Sequence, residues 1–163
     1  MSTVILTEQQ INQKIKRIAF QILENNIEEK QIYIAGIAEN GFIFAEKLKD
    51  ELEENSNKKI TLCKVNIDKE NPLDTVTTSI SINDLADQSV VLVDDVLNSG
   101  KTLIYAVRHF LQVPLNKFKT AVLVNRNHKN FPVKSDFKGI SLSTSLEEHV
   151  EIRFNDKAEA ILY

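Results

Sequence analysis

The stretch VVLVDDVLNSGKT, residues 90–102, carries the residue types best suited to chemistry. Four apolar residues read as a buried strand, VVLVD at 90–94, that runs into two adjacent carboxylates, Asp94 and Asp95. A short polar loop with one glycine follows. In an open parallel α/β sheet, ligands bind beyond the carboxyl ends of the strands, and both aspartates fall there. Asn98, Ser99, Gly100, Lys101 and Thr102 then lead into a helix over 101–112. The free N–H groups and the positive dipole end of such a helix favour a phosphate. Ser99 and Thr102 add hydroxyl donors, and Gly100 lets the backbone come close. Vicinal sugar hydroxyls are donors that suit paired carboxylates, so a ribose 5-phosphate satisfies both halves of the segment.

Three other readings of the same residues fit less well. A nucleotide-triphosphate P-loop ends in Gly-Lys-Thr, but it needs a glycine five residues before Gly100, where this chain has Asp95. A phosphorelay receiver domain carries its adjacent acids near its start, whereas about 90 residues precede these. A plain strand-to-helix turn capped by Asp95 explains a bare pair of acids but not the whole run through Thr102.

The elements that must position this segment are legible around it. Thr7 with Gln10 forms a capping-box signature, and Ile11, Ile15, Ile18 and Ile22 recur at helical spacing, so 7–26 is a predicted amphipathic helix. IYIAG at 32–36 reads as a buried strand, 42–54 as a helix and KITLCKVNI at 59–67 as a strand. Residues 68–88 form a long polar stretch, functional or mobile, in which 75–82 is readable as a β-hairpin arm. KTAVLVN at 119–125 is a further strand, with shorter strand-like pieces at 149–154 and 158–163. Strands alternate with helices through the centre, which predicts an α/β fold: a mostly parallel twisted sheet with helices on both faces. One domain over 1–163 is expected.

Composition bounds the function. Of 163 residues, 42% are hydrophobic and 26% charged, enough for a real core, and the net charge of -3 gives no bulk signal for nucleic acid. The single Cys63 lies in an apolar run and has no intramolecular disulfide partner, so it reads as a buried thiol in a reducing compartment. No apolar stretch approaches the ~20 residues needed to span a bilayer, and the first residues lack the pattern of a secretory signal. A cytoplasmic protein without membrane contact is expected. The four glycines, Gly36, Gly41, Gly100 and Gly139, each follow or interrupt an apolar segment. Such sparing use suggests places where backbone geometry demands glycine.

Residues 90–102 resemble the phosphoribosyl-pyrophosphate (PRPP) signature of type I phosphoribosyltransferases. Residues 5–22, ILTEQQINQKIKRIAFQI, resemble the N-terminal helix of the pyrimidine-operon regulator and uracil phosphoribosyltransferase family. IYIAGIAENGFIFAEKL at 32–48 is similar to that family's second strand-loop-helix, whose loop holds pyrophosphate. Residues 121–152 look like its strand and hood region, and only about 66–88 stands apart. Purine-salvage members share the framework.

The resemblance implies transfer of the ribose 5-phosphate of PRPP to a nucleobase, uracil favoured and a 6-oxopurine second, with release of pyrophosphate. Oxocarbenium character would develop at the ribose. Placement of the base, stabilisation of the leaving pyrophosphate and a bridging Mg²⁺ would lower the barrier. By the same resemblance Asp94 and Asp95 grip the ribose hydroxyls. Asn98, Ser99, Gly100, Lys101 and Thr102 hold the 5-phosphate, and Ala38, Glu39, Asn40 and Gly41 hold pyrophosphate. Lys69 is the cation of the mobile loop and joins the two aspartates in the catalytic set. Arg126, Asp136 and Phe137 serve the base, with 136–144 closing over it. PRPP, nucleobase and nucleoside monophosphate are the implied partners, and a homodimer or larger homo-oligomer the implied assembly.

The departures from that pattern matter. The regulator family usually carries an arginine before the glycine of its pyrophosphate loop; here Asn40 stands there, beside the acidic Glu39. Such an exchange loses a charge-assisted hydrogen bond worth ~1.5–3 kcal/mol. Lys69 is the only cation in 66–75 and offers a point charge, not a fork. The family's Asp-Arg-Gly-His run appears as Asn125-Arg126-Asn127-His128. These changes suit a slow enzyme, an altered base choice, or a nucleotide-sensing regulator that binds RNA or a protein partner. For RNA the candidate cations are Lys14, Lys16 and Arg17 on the first helix, and Arg126, Lys129 and Lys134. His109 reads as structural, His128 as either a ligand contact or an exposed loop histidine with no role, His149 as solvated, and Lys64 as part of a polar strand face.

Overall fold

The computed structural model describes residues 1–163. Thr7 opens the first helix: its hydroxyl accepts the Gln10 N–H at 3.3 Å and the Gln10 amide oxygen accepts the Thr7 N–H at 2.9 Å. The capping box satisfies helix-end donors and starts α1 at Glu8–Asn25, which follows β1 at Thr3–Leu6. β2 (Gln31–Ile37), α2 (Asn40–Glu54), β3 (Lys59–Asn66) and β4 (Thr77–Thr78) come next. β5 (Ser89–Leu97), α3 (Lys101–Phe110), β6 (Lys117–Arg126), β7 (Phe137–Leu142), β8 (Val150–Arg153) and β9 (Glu159–Leu162) complete the chain.

Six strands form one sheet in the order β4-β3-β2-β5-β6-β7, parallel throughout except for the antiparallel edge strand β4. The remaining three form a small antiparallel sheet, β1-β9-β8. Alternation along β5 divides the core: Val91 and Val93 pack towards α1 and α2, while Val90 and Leu92 pack towards α3. Burial on both faces is why the strand reads as an unbroken apolar run. An α/β fold with helices on both faces and a small hood is therefore what the chain adopts. Cys63 lies buried in the layer towards α3, and burial pushes its thiol up.

Three expectations need correction. Strand β5 does not end at Asp94 but runs to Leu97, so both aspartates lie inside it. The hairpin arm over 75–82 shortens to two paired residues opposite Val65 and Asn66. Residues 136–144 do not form a closing segment: β7 lies parallel to β6 as the far edge of the main sheet. The hood instead joins the first strand to the last two.

Candidate functional site

The carboxyl ends of β2 and β5 meet at the site. Gly41, in the first turn of α2, lies so close to β5 that a Cβ there would fall 2.9 Å from the Val93 carbonyl oxygen and 3.0 Å from the Asp94 Cα. Only glycine lets the helix end approach the aspartates this closely. The turn before it, Ala38–Glu39, contains a cis peptide bond.

Asp94 is 4% exposed. Its Oδ1 accepts the Asp95 N–H at 2.9 Å and receives the Lys69 ammonium at 3.3 Å. Burial pushes its carboxyl up to about 8; the Asp95 charge adds to the rise and Lys69 opposes it. The Oδ2 of half-buried Asp95 accepts from the Asn40 amide at 3.1 Å, and its Oδ1 accepts the Val96 N–H at 2.8 Å. Asn40 also donates to the Ile152 carbonyl of β8 at 2.9 Å. One amide thus ties a site carboxylate to the hood.

The loop after β5 is held differently. Gly100 has φ +88°, in the left-handed region, and caps α3. The Ser99 carbonyl accepts the Asn130 and Phe131 N–H groups at 2.8 and 3.1 Å, and the Ser99 hydroxyl accepts the Lys101 N–H at 3.2 Å. A cavity of about 70 Å³ opens here, lined by Lys69, Asp94, Val122 and residues 96–103. The carboxylate, the cation and the loop expected to hold phosphate therefore face one space. Lys101 is exposed, so the loop's donors there are mainly backbone and hydroxyl groups.

Glu39 does not join that space. Its side chain is 79% exposed and faces the Lys64 ammonium at 3.7 Å. Arg126 does not point a free guanidinium at the site. It donates to the Thr144 hydroxyl (2.9 Å), the Asn98 side-chain oxygen (3.0 Å), and the Ser145 and Glu148 carbonyls (3.1 and 2.7 Å). It fastens the loop after β5 to the segment leading into β8.

Asp136 and Phe137 lie elsewhere. The Asp136 carboxylate accepts the Thr120 N–H at 2.9 Å, and Phe137 sits 9% exposed in the core opposite Ala121. Ala121 is five residues before Arg126, which at ~3.3 Å per residue is roughly 17 Å from the carboxyl end of β6. The expectation that these two residues serve a base at that end fails because β7 runs parallel to β6 and begins opposite its middle, well short of that end. Lys64 was missed as a site neighbour. Its place beside the turn depends on pairing of β2 with β3, which puts Gly36 opposite Lys64; strand alternation alone shows only a polar face.

Comparison with known proteins decides the family. The model of the phosphoribosyl transferase domain matches residues 2–156. The chain belongs to that family. It is 34% identical over 162 residues to the bifunctional protein PyrR of Fusobacterium nucleatum subsp. nucleatum, covering 91% of this chain and 89% of the relative. The bifunctional protein PyrR of Bacillus pumilus is 30% identical over 165 residues, with 94% and 91% covered. Both bear out the resemblance to the pyrimidine-operon regulators. Among solved phosphoribosyltransferases, the hypoxanthine enzyme of Trypanosoma cruzi superposes with a TM-score of 0.80 at 16% identity, covering 98% of this chain and 95% of that one. The hypoxanthine-guanine enzyme of Bacillus anthracis gives 0.73 at 19% identity, with 86% and 82% covered. These two superpositions bear out the phosphoribosyltransferase fold.

Proposed function

We propose that the protein transfers the ribose 5-phosphate of PRPP to a nucleobase, uracil by preference and a 6-oxopurine second, releasing pyrophosphate and a nucleoside monophosphate. The observation that carries this reading is the shared cavity of Asp94, Lys69 and the loop 98–102. Asp94 and Asp95 accept from the ribose hydroxyls and fix the sugar. Ser99, Thr102 and the backbone donors beside them hold the 5-phosphate in place. Lys69 pairs with Asp94 on the cavity wall. Arg126 positions the loop and the hood segment rather than touching the base.

The donor set suits magnesium carried in by the substrate. Magnesium is usually held by one or two carboxylates, water and substrate phosphates, not by an all-protein cage; Asp94 brings one carboxyl group into the cavity, and Asp95 follows it in the strand with its carboxylate held by Asn40. When bound, the ion neutralises charge on the leaving pyrophosphate. A homodimer or larger homo-oligomer belongs to the same reading.

The test is pyrophosphate release from PRPP and Mg²⁺ with uracil, hypoxanthine, guanine, xanthine, adenine and orotate supplied singly. Release with uracil alone supports the full reading. Release with another base corrects the specificity, and no release with any base despite PRPP binding removes the enzyme.

A second reading, a nucleotide-sensing regulator, is favoured by one observation: the Asn40 amide already serves Asp95 and the hood. An RNA-binding version of it has fewer free cations than the sequence suggests. Arg17 donates to the Lys138 and Gly139 carbonyls, and Arg126 is fully engaged. Phosphate contacts give a steep salt dependence, so a flat or absent RNA-binding signal across a salt titration removes that version.

A further inference from the structure

We propose that Lys64 supplies the positive charge for the pyrophosphate half of the site, and that Glu39 occupies that charge in the free protein as an internal competitor. The inference rests on the phosphoribosyltransferase reading above and names a residue that the site's own sequence motif does not contain.

The turn 38–41 lacks a cation of its own. Asn40 is engaged with Asp95 and Ile152, Glu39 is acidic, and Lys69 is drawn to Asp94. The structure brings Lys64 to this turn from the neighbouring strand. Backbone hydrogen bonds fix its place in the strand. Its N–H is accepted by the Ser79 hydroxyl at 2.8 Å, and its carbonyl accepts the Ser79 N–H at 2.9 Å. The next residue, Val65, accepts the Ala38 N–H at 2.9 Å, which joins β3 directly to the turn. The ammonium stands 5.5 Å over the Phe42 ring, in the first turn of α2, and 3.7 Å from the Glu39 carboxylate. Aromatic face and carboxylate together hold a cation beside the loop.

Magnitudes favour exchange. The Lys64–Glu39 pair is exposed and too long for a hydrogen bond, and such pairs contribute little. A pyrophosphate carries more charge than one carboxylate, so it displaces Glu39 and takes Lys64. Glu39 then swings into solvent, where it is already 79% exposed. The loss of a loop arginine is in this way offset by a lysine from outside the loop, with an acid that lowers affinity until the ligand arrives.

Calorimetric titration of PRPP, inorganic pyrophosphate and ribose 5-phosphate, with Mg²⁺ present, tests this in four proteins: wild type, K64A, E39Q and the double variant. Both side chains are on the surface, and a thermal melt checks that each variant folds. K64A is expected to weaken PRPP and pyrophosphate about tenfold, the scale of one charged hydrogen bond, and to leave ribose 5-phosphate within about twofold. E39Q is expected to strengthen PRPP a few-fold, and the double variant to lose that gain. Unchanged PRPP affinity in K64A, or equal weakening of ribose 5-phosphate, overturns the role of Lys64. A gain from E39Q that persists without Lys64 overturns the competition. If wild-type protein binds ribose 5-phosphate but neither pyrophosphate compound, the Lys64 proposal falls while the sugar-phosphate site stands. If it binds none of the three, both readings fall.

Discussion

The two ends of the site are built on opposite plans. The loop after β5 organises backbone: Gly100 sets its path and the Ser99 carbonyl anchors it to Asn130 and Phe131. A cavity is left open beside it. The turn before α2 organises side chains that are already partnered, Asn40 with Asp95 and Glu39 with Lys64. A backbone cradle tolerates side-chain change, whereas a set of paired side chains makes every substitution a change of partner. The comparison explains why the first end matches a family signature closely and the second departs from it.

The strongest way to break this picture is at the carboxylate that Asn40 holds. Asp95→Ala removes a carboxylate and frees Asn40. Loss of two charged hydrogen bonds predicts a fall of PRPP affinity on the order of 100-fold, with an unchanged far-ultraviolet spectrum; unchanged affinity in calorimetry sinks the assignment of the ribose contact.

Asp94→Asn sharpens the picture through pH. An unfolded aspartate titrates near ~3.9, and this one is raised to about 8 in the folded protein. Between those values the native state holds the extra proton, so this group's contribution makes stability fall as pH rises. The asparagine variant is expected to be more stable than wild type by on the order of 5 kcal/mol at about pH 8, at ~1.4 kcal/mol per pKa unit, and equal to it near about pH 4. Denaturant melts at both pH values measure the difference, and a pH-independent difference contradicts the protonated carboxyl.

Gly100→Ala attacks the backbone plan. A side chain in the left-handed region costs about 1–2 kcal/mol, and the added Cβ would stand 2.6 Å from the Val133 side chain. Stability should drop by that amount and ribose 5-phosphate should weaken with it. The smallest effect belongs to Lys101→Ala. With an exposed lysine and backbone donors in charge, ribose 5-phosphate affinity should change less than about twofold. A tenfold loss in direct titration would mean that the phosphate end relies on side chains after all.

Local signals carried much of the fold. The capping box of Thr7 and Gln10, the four isoleucines of α1 and the run 90–94 each depend on near neighbours, and each marks a real element, although β5 runs on to Leu97. What remained illegible depends on distant pairing. β1 finds its partner in β9, across nearly the whole chain. β7 alternates Phe137, Gly139 and Ser141 with residues that give a weak apolar pattern, as an edge strand does. The family resemblance assigned 136–144 as a cover over the base, with Asp136 and Phe137 in it, and the weak strand pattern offered nothing to oppose that. Within the site, the residue types of 90–102 are what suggest a sugar phosphate, but the partners of Arg126 and the approach of Lys64 follow from tertiary register alone.

The pairing of Thr3 with Leu162 also sets an order of events during synthesis. Every strand of the main sheet, and the loop around Gly100, leaves the ribosome before β9 does. The first strand must wait, its edge unsatisfied, until residues 159–162 emerge. Closing so long a loop is slow, and an unpaired strand edge invites association with other chains. A nascent chain stopped just before Glu159 would therefore hold its carboxylates and the loop around Gly100 while β1, still without a partner, stayed open to association with other chains.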